Sequence, residues 1–135
     1  MNQLQEVKTV LQQQQCQIAW KREEKIEISR QRGIKFLLES VDQEKRGGWI
    51  ADKVVGKAAA FLMIALEVQE VFAQVISKPA ADVLREYHIP FSYQTMTDYI
   101  VNRAGDGMCP MEQKVWDAKT PAQALALLRE SVSAS

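Results

Sequence analysis

The feature that most constrains this chain is the stretch Trp49 to Leu66, WIADKVVGKAAAFLMIAL, because it is long, apolar and nearly free of charge. Trp49 to Ala51 is typical of an inner strand, and Asp52 is a good N-cap for a helix that begins at Lys53. From Ala58 onward this helix has no polar stripe, so it must be covered on more than one side. We therefore expect a buried strand followed by a buried helix.

Length and charge narrow the class of protein. A chain of 135 residues is long enough to bury a core without disulfides, and we expect a single domain over residues 1–135. Seventeen basic and 17 acidic side chains leave no net charge, so no nucleic-acid partner is expected. The longest apolar run, Ala58 to Leu66, is too short to cross a membrane, and a cytoplasmic location without a membrane partner follows as an expectation. Cys16 and Cys109 are predicted to be reduced thiols.

The rest of the chain alternates between helix and strand patterns. Apolar residues at helical spacing predict helices over 2–15, 34–41 and 78–87, and Pro110 and Pro121 suit first helical positions. Alternating apolar residues predict a hairpin that turns at 21–25 and strands over 70–77 and 91–96, and residues 131–135 are expected to fray. This order predicts an α/β fold, a three-layer α/β/α sandwich with a mixed sheet of about five strands.

The junction from Asp52 to Lys57 is the first candidate site. If the helix begins at Lys53, then Lys53 and Lys57 lie on one face beside unpaired N–H groups, and Gly56 leaves room for close approach. The partial positive charge of a helix N-terminus favours an anion there. The alternative is that Asp52 only caps, that Gly56 lets the helix lie close to the sheet, and that the lysines reach solvent.

The second candidate site is the loop GDGMCPME, residues 105–112, in which Cys109 takes the N-cap position of a helix that begins at Pro110. The positive end of a helix lowers the pKa of a thiol and makes it a better nucleophile. Glu112, three residues on, can close a capping box onto the backbone of Cys109. The alternative is a small, partly buried cysteine packed beneath a glycine turn.

The order of elements resembles the cytidine-deaminase-like fold, with an initial helix, a hairpin, a strand that feeds an apolar helix, and a Cys-Pro turn that opens another helix. The stretches ADKVVGKAAA (51–60), FAQVIS (72–77) and YIVNRAGDGMCPME (99–112) resemble more closely a small bacterial family, a domain of unknown function classed in that superfamily. The resemblance implies that the ligand is a nucleotide or a related phosphorylated metabolite.

The sequence departs from the zinc deaminases of this superfamily at both motifs. Those enzymes open one helix with a His or Cys ligand and a catalytic Glu, and the next with a PCxxC turn. Here Asp52-Lys53-Val54 offers one carboxylate, and Cys109-Pro110-Met111-Glu112 gives Cys-x-x-Glu. His88, the sole histidine, is expected in a surface turn. Zinc-dependent deamination is therefore disfavoured, and neither a metal nor a cofactor is expected.

These observations predict a metal-free domain that binds a small anionic ligand, a nucleotide or phosphorylated metabolite, between two helix N-termini. An alternative is an enzyme that uses Cys109 as nucleophile with Lys53 or Asp52 assisting proton transfer. A third possibility is a module that self-associates as a homo-oligomer through its first helix or a sheet edge. The predicted ligand-binding residues are Lys53, Gly56, Asn102, Arg103, Gly107 and Glu112. For Asn102 and Arg103 the alternatives are a turn amide and a surface ion pair.

Overall fold

A computed structural model describes residues 2–133 of the chain, with the side chains of residues 2–130. Its elements follow one another as α1 (Gln3–Gln13), β1 (Ile18–Arg22), β2 (Lys25–Ser29), α2 (Lys35–Asp42), β3 (Trp49–Val55), α3 (Lys57–Ala65), β4 (Glu70–Ser77), α4 (Lys78–Glu86), β5 (Phe91–Thr97), α5 (Pro110–Lys114) and α6 (Pro121–Ser133). The predicted α/β fold with a mixed five-strand sheet is confirmed.

The five strands form one sheet in the order β2-β1-β3-β4-β5. β1 pairs antiparallel with both β2 and β3, whereas β3, β4 and β5 are parallel. At one edge Ile18, the first residue of β1, lies opposite Ser29 of β2 and Asp52 of β3. The start of β1 and the ends of the other four strands therefore meet at the same edge of the sheet. The loops at this edge build the candidate site.

The two faces of the sheet are covered unequally. α1 packs on one face, and its Val7 and Leu11 join Ala19, Ala51 and Phe72 in a small apolar cluster. The other face carries a larger core that includes residues from α2, α3, α4 and α6. In α3 every residue from Ala58 to Met63 is buried, because the sheet and four other helices, α2, α4, α5 and α6, surround it. The prediction that this helix is covered on more than one side is confirmed.

The predicted start of α3 is wrong. β3 extends to Val55, and the helix begins at Lys57 with Gly56 as its N-cap. Asp52 therefore lies inside a strand and caps no helix. The physical reason is the parallel ladder, since the last two residues of β3 pair with Val75 and Ile76 of β4. These β-branched residues favour the extended backbone, and tertiary pairing outweighs the local preference of Asp52 for a cap.

Other boundaries agree closely with their predictions. The strand predicted at 70–77 is β4, and the helix predicted from Lys78 is α4, with Ser77 as its N-cap. Helix α6 extends through Ser133, and the last two of the residues expected to fray, 134–135, lie outside the described range. Within residues 2–133, every helix is too short or too polar to span a bilayer.

Candidate functional site

A cavity of about 910 Å³ opens at the sheet edge where β1 begins and β3 ends. Its walls come from the residues before β1 and before α2, from the end of β3, from the start of α3, from β4, and from the segment that leads into α5. The structure brings seven of the eight predicted site residues to this cavity: Asp52, Lys53, Gly56, Asn102, Arg103, Cys109 and Glu112.

Glu112 of α5 is only 1% exposed and caps the first turn of α3. Its Oε2 accepts a hydrogen bond from the backbone N–H of Lys57 at 2.8 Å, and its Oε1 accepts one from the N–H of Ile100 at 3.3 Å. The predicted capping box onto Cys109 is therefore wrong, because the N–H of Cys109 donates instead to the carbonyl of Ile100 at 2.7 Å. A carboxylate of the protein itself lies where the sequence predicts an external anion, against the N-terminus of α3.

Gly56 is necessary for this arrangement. A Cβ at position 56 would collide with the Glu112 carboxylate and would approach Ile100 to 3.0 Å. The predicted close approach at Gly56 is thus made by Glu112 and Ile100, whose segment packs against the start of α3.

Asp52 is the second buried carboxyl group of the cavity, with 6% of its surface exposed. Its Oδ1 accepts a hydrogen bond from the N–H of Val54 at 3.2 Å. Burial raises the pKa of Asp52 from 3.8 to about 7, and the backbone N–H groups of Val54 and Lys53 oppose this effect only in part. Asp52 is therefore a group that changes charge near neutral pH, at the wall of a cavity.

Lys53 and Lys57 do not share a helix face, and this part of the prediction is wrong. Lys53 lies in β3, next to Asp52, so the two side chains leave opposite faces of the sheet. Lys57 lines a separate cavity of about 500 Å³, where its Nζ donates to the carbonyl of Trp116 and lies 5.8 Å from the ring centroid of Phe61. Burial lowers the pKa of Lys57, and the nearby Lys119 lowers it further. Lys57 therefore does not line the larger cavity, and its ammonium group is partly buried.

Three basic residues line the cavity: Arg32, Lys53 and Arg103. Arg32 and Arg103 are exposed, and Lys53 is half-buried. Among the described side chains no carboxylate lies within salt-bridge distance of any of the three. Sequence reasoning missed Arg32, because only the pairing of β1 with β2 and β3 brings residues 31–34 to the end of β3. The basic residue directly before Gly33 is the one local signal.

The loop before α5 is held together by Asn102. Its Oδ1 accepts hydrogen bonds from the N–H groups of Gly105 and Asp106, and its Nδ2 donates to the Asp106 carboxylate at 2.9 Å. The turn-amide alternative describes this side chain well. Gly107 does not line the cavity, and its carbonyl accepts a hydrogen bond from the N–H of Asn102 at 2.8 Å, which closes the loop.

Cys109 is the N-cap of α5, as predicted, and it is half-buried in the cavity wall. Cys16, in contrast, is fully buried beneath α1. His88 lies exposed in the turn after α4, also as predicted. Among residues 2–133 no three His, Cys, Asp or Glu side chains lie close enough together to hold a metal ion. Self-association through α1 or a sheet edge stays a prediction.

A mixed five-strand sheet with a large cavity at one edge defines an α/β protein with a candidate ligand site. The chain belongs to the family described as Domain of unknown function (DUF1893), whose model matches residues 6–132. It is similar to a DUF1893 family protein, TM1506, from Thermotoga maritima, whose crystal structure was solved at 2.70 Å resolution. The two structures agree with a TM-score of 0.90 at 26% sequence identity, over 96% of this chain and 90% of that chain. No curated protein matches the sequence.

The contact between Gly56 and Glu112 gives a first prediction. Gly56→Ala should lower the free energy of unfolding by about 1–3 kcal/mol, because the new methyl group displaces a buried carboxylate. Glu112→Gln should cost a similar amount, since its NH2 group must face a backbone N–H. Urea unfolding measures both, and Glu86→Gln, an exposed change on α4, is the control.

In a Glu112→Ala background the collision disappears, so Gly56→Ala should cost less there than in the wild type. If Gly56→Ala lowers the free energy of unfolding equally in both backgrounds, a collision with Glu112 is not the reason why position 56 needs glycine.

Asp52 gives a second prediction, on pH. Its folded-state pKa of about 7 is above the ordinary 3.8, so its contribution to stability is fully present below pH 3.8 and is lost as the pH rises through 7. Asp52→Asn should therefore stabilise the protein at pH 8 by up to about 4 kcal/mol, and the gain should shrink as the pH falls towards 4.

Urea unfolding of wild type and Asp52→Asn across this range measures the effect. A constant difference between the two proteins at every pH would contradict the raised pKa. Glu86→Gln again supplies the control for removing an acidic side chain.

Proposed function

We propose that this protein binds a small anionic ligand, a nucleotide or a phosphorylated metabolite, in the cavity at the end of β3. The single observation that carries the proposal is the set of three basic residues, Arg32, Lys53 and Arg103, that lines this cavity without a carboxylate partner among the described side chains. A ligand with negative charge would supply the missing partner. The volume of about 910 Å³ lies in the range typical of small-molecule sites.

The anion in this proposal does not lie between two helix N-termini. Glu112 already accepts the hydrogen bond of the first N–H of α3, and a phosphate placed there would meet its carboxylate. The basic side chains come instead from the segment before α2, from β3 and from the loop before α5. These three segments are far apart in sequence and meet only at this edge of the sheet.

We further propose that the fold is related to the cytidine-deaminase-like fold. The strand order, the packing of α1 on the face opposite to α3, and the Cys109-Pro110 turn close to the start of α3 support this relationship. We assign no zinc-dependent reaction, because Asp52 lies within a strand and both oxygens of Glu112 accept backbone hydrogen bonds. These groups do not offer the three free ligands that a catalytic zinc needs.

Binding of a panel of nucleotides and sugar phosphates by isothermal titration calorimetry tests the proposal. Arg32→Ala, Lys53→Ala and Arg103→Ala should each weaken a bound member of the panel, by roughly tenfold for a direct contact, because each removes a charge-assisted hydrogen bond. Binding should also weaken with added salt, since the basic side chains are partly exposed.

Lys25→Ala is the matched control, because Lys25 is exposed at the far end of β2, across the sheet from the cavity. If none of the three cavity variants changes the binding of any phosphorylated compound, or if no compound binds, the proposal is overturned.

The second candidate function is an enzyme that uses Cys109 on such a ligand. The observation that favours it is that Cys109 lines the same cavity as Asp52, a carboxyl group that ionises near neutral pH. A nucleophilic thiol requires a nearby group that can accept its proton, and Asp52 is chemically suited to that role.

Alkylation by iodoacetamide separates the two functions, since Cys16 is buried and only Cys109 should react in the folded protein. For an enzyme, Cys109 should react faster than free cysteine at pH 7, and Asp52→Asn should slow it. A rate no faster than that of free cysteine, together with full ligand binding by Cys109→Ser, would contradict the enzyme and leave the binding function in place.

A further inference from the structure

Two buried carboxyl groups line the cavity, and their hydrogen bonding differs. Glu112 accepts from two backbone N–H groups, one on each oxygen, and so completes the structure around α3. Asp52 accepts only from the backbone of its own strand, with Val54 at 3.2 Å, and no side chain of the described residues donates to it. A carboxylate has about four acceptor sites, so at least two of those on Asp52 are free.

The cavity walls leave room beside such a group. Gly33, Gly56, Ala58 and Ala59 are among the lining residues and present little or no side chain. On β4, the residue paired with Asp52 is Ala73. On β1 the paired residue is Ile18, which is larger, so a flat ligand group would approach the carboxylate on the side of the small residues. The unused acceptor sites of a buried carboxyl group cost free energy unless a ligand or water satisfies them.

We propose that Asp52 selects the ligand by accepting two hydrogen bonds from a planar group that carries adjacent N–H donors, as a guanine edge or a guanidinium group does. The inference rests on the proposed function, because the other end of the same ligand must carry the negative charge that Arg32 and Arg103 bind. Asp52 is thus a specificity-determining residue, and the ligand has a donor edge at one end and an anionic group at the other.

The pattern of donors and acceptors distinguishes the ligands that Asp52 can bind from those that it cannot. Guanine presents a ring N–H next to an exocyclic NH2, which matches both oxygens of a carboxylate. Hypoxanthine keeps the ring N–H and lacks the NH2 group. Adenine presents an NH2 next to a ring nitrogen lone pair, and that lone pair repels the carboxylate. A guanidinium group offers the same pair of donors as guanine and adds a positive charge.

Calorimetric titration of the full chain with guanosine, inosine and adenosine monophosphates tests the inference. Guanosine monophosphate should bind roughly 10- to 100-fold more tightly than inosine monophosphate, which loses one hydrogen bond to a charged acceptor. Adenosine monophosphate should bind more weakly still. An anionic guanidino compound, 4-guanidinobutyrate, distinguishes the two sources of the donor pair, since it carries no base.

The Asp52→Asn substitution should raise the affinity for one nucleotide and lower the affinity for another. The asparagine amide donates on one side and accepts on the other, so it matches xanthine, in which a carbonyl replaces the NH2 group of guanine. The variant should lose at least tenfold in affinity for guanosine monophosphate and should prefer xanthosine monophosphate. Asp117→Asn, an exposed change in the segment before α6, is the matched control and should bind as the wild type does.

Each outcome decides one of the two claims. Preference for guanosine monophosphate with the switch to xanthosine monophosphate supports the inference for a base, and Asp52-dependent binding of 4-guanidinobutyrate alone supports it for a guanidinium group. Equal binding of the three nucleotides, still weakened by Lys53→Ala or Arg103→Ala, overturns the role of Asp52 and leaves the proposed function intact. No binding of any of these compounds overturns both. The comparison of nucleotides uses the wild type, so it holds even where a variant fails to fold.

Discussion

The structure around the cavity depends on the hydrogen bonds of one side chain, the carboxylate of Glu112. Without it, the first N–H of α3 and the N–H of Ile100, both partly buried, would lose their acceptor, which costs free energy in each case. Because Glu112 belongs to α5, this carboxylate ties the start of the central helix to the segment that follows β5. Gly56 permits the contact by its lack of a side chain. The negative charge is also favourable where it lies, at the positive end of α3.

The two acidic residues of the cavity differ in role: Glu112 stabilises the fold, and Asp52 is the candidate functional group. The charge of Glu112 is placed against backbone N–H groups and a helix terminus, so it serves the fold. Asp52 lies within a strand whose own N–H groups satisfy it only in part, and its burial makes the charged form costly near neutral pH. Groups of this second kind are more common at functional sites than in purely structural cores. The basic residues at the same cavity are opposite in charge to these two carboxyl groups.

Much of the fold could be predicted from the sequence because local and tertiary preferences agree over most elements. The strand at Glu70–Ser77 is rich in β-branched residues and is followed by Lys78-Pro79. The sequence therefore predicts both the end of this strand and the start of the next helix. At Asp52 the local preference for a cap conflicts with the parallel ladder to β4, and the ladder prevails. Glu112 satisfies the pattern of a local capping box, yet its partner is 55 residues away in sequence. The site residues in 99–112 could be found from the glycine-bearing loop that leads into Cys109-Pro110, whereas Arg32 required knowledge of the sheet order.

The distance in sequence between Glu112 and Lys57 also has a consequence for biosynthesis. The chain grows from its N-terminus, so β3, α3, β4 and β5 all leave the ribosome before Glu112 does. Until then the central helix has an uncapped first turn, and its apolar surface lacks the cover that α6 later supplies. The hairpin and α1 can assemble on β3 during this time, since they precede it. Completion of the sheet edge, and with it the cavity, is therefore a late event that waits for the C-terminal quarter of the chain.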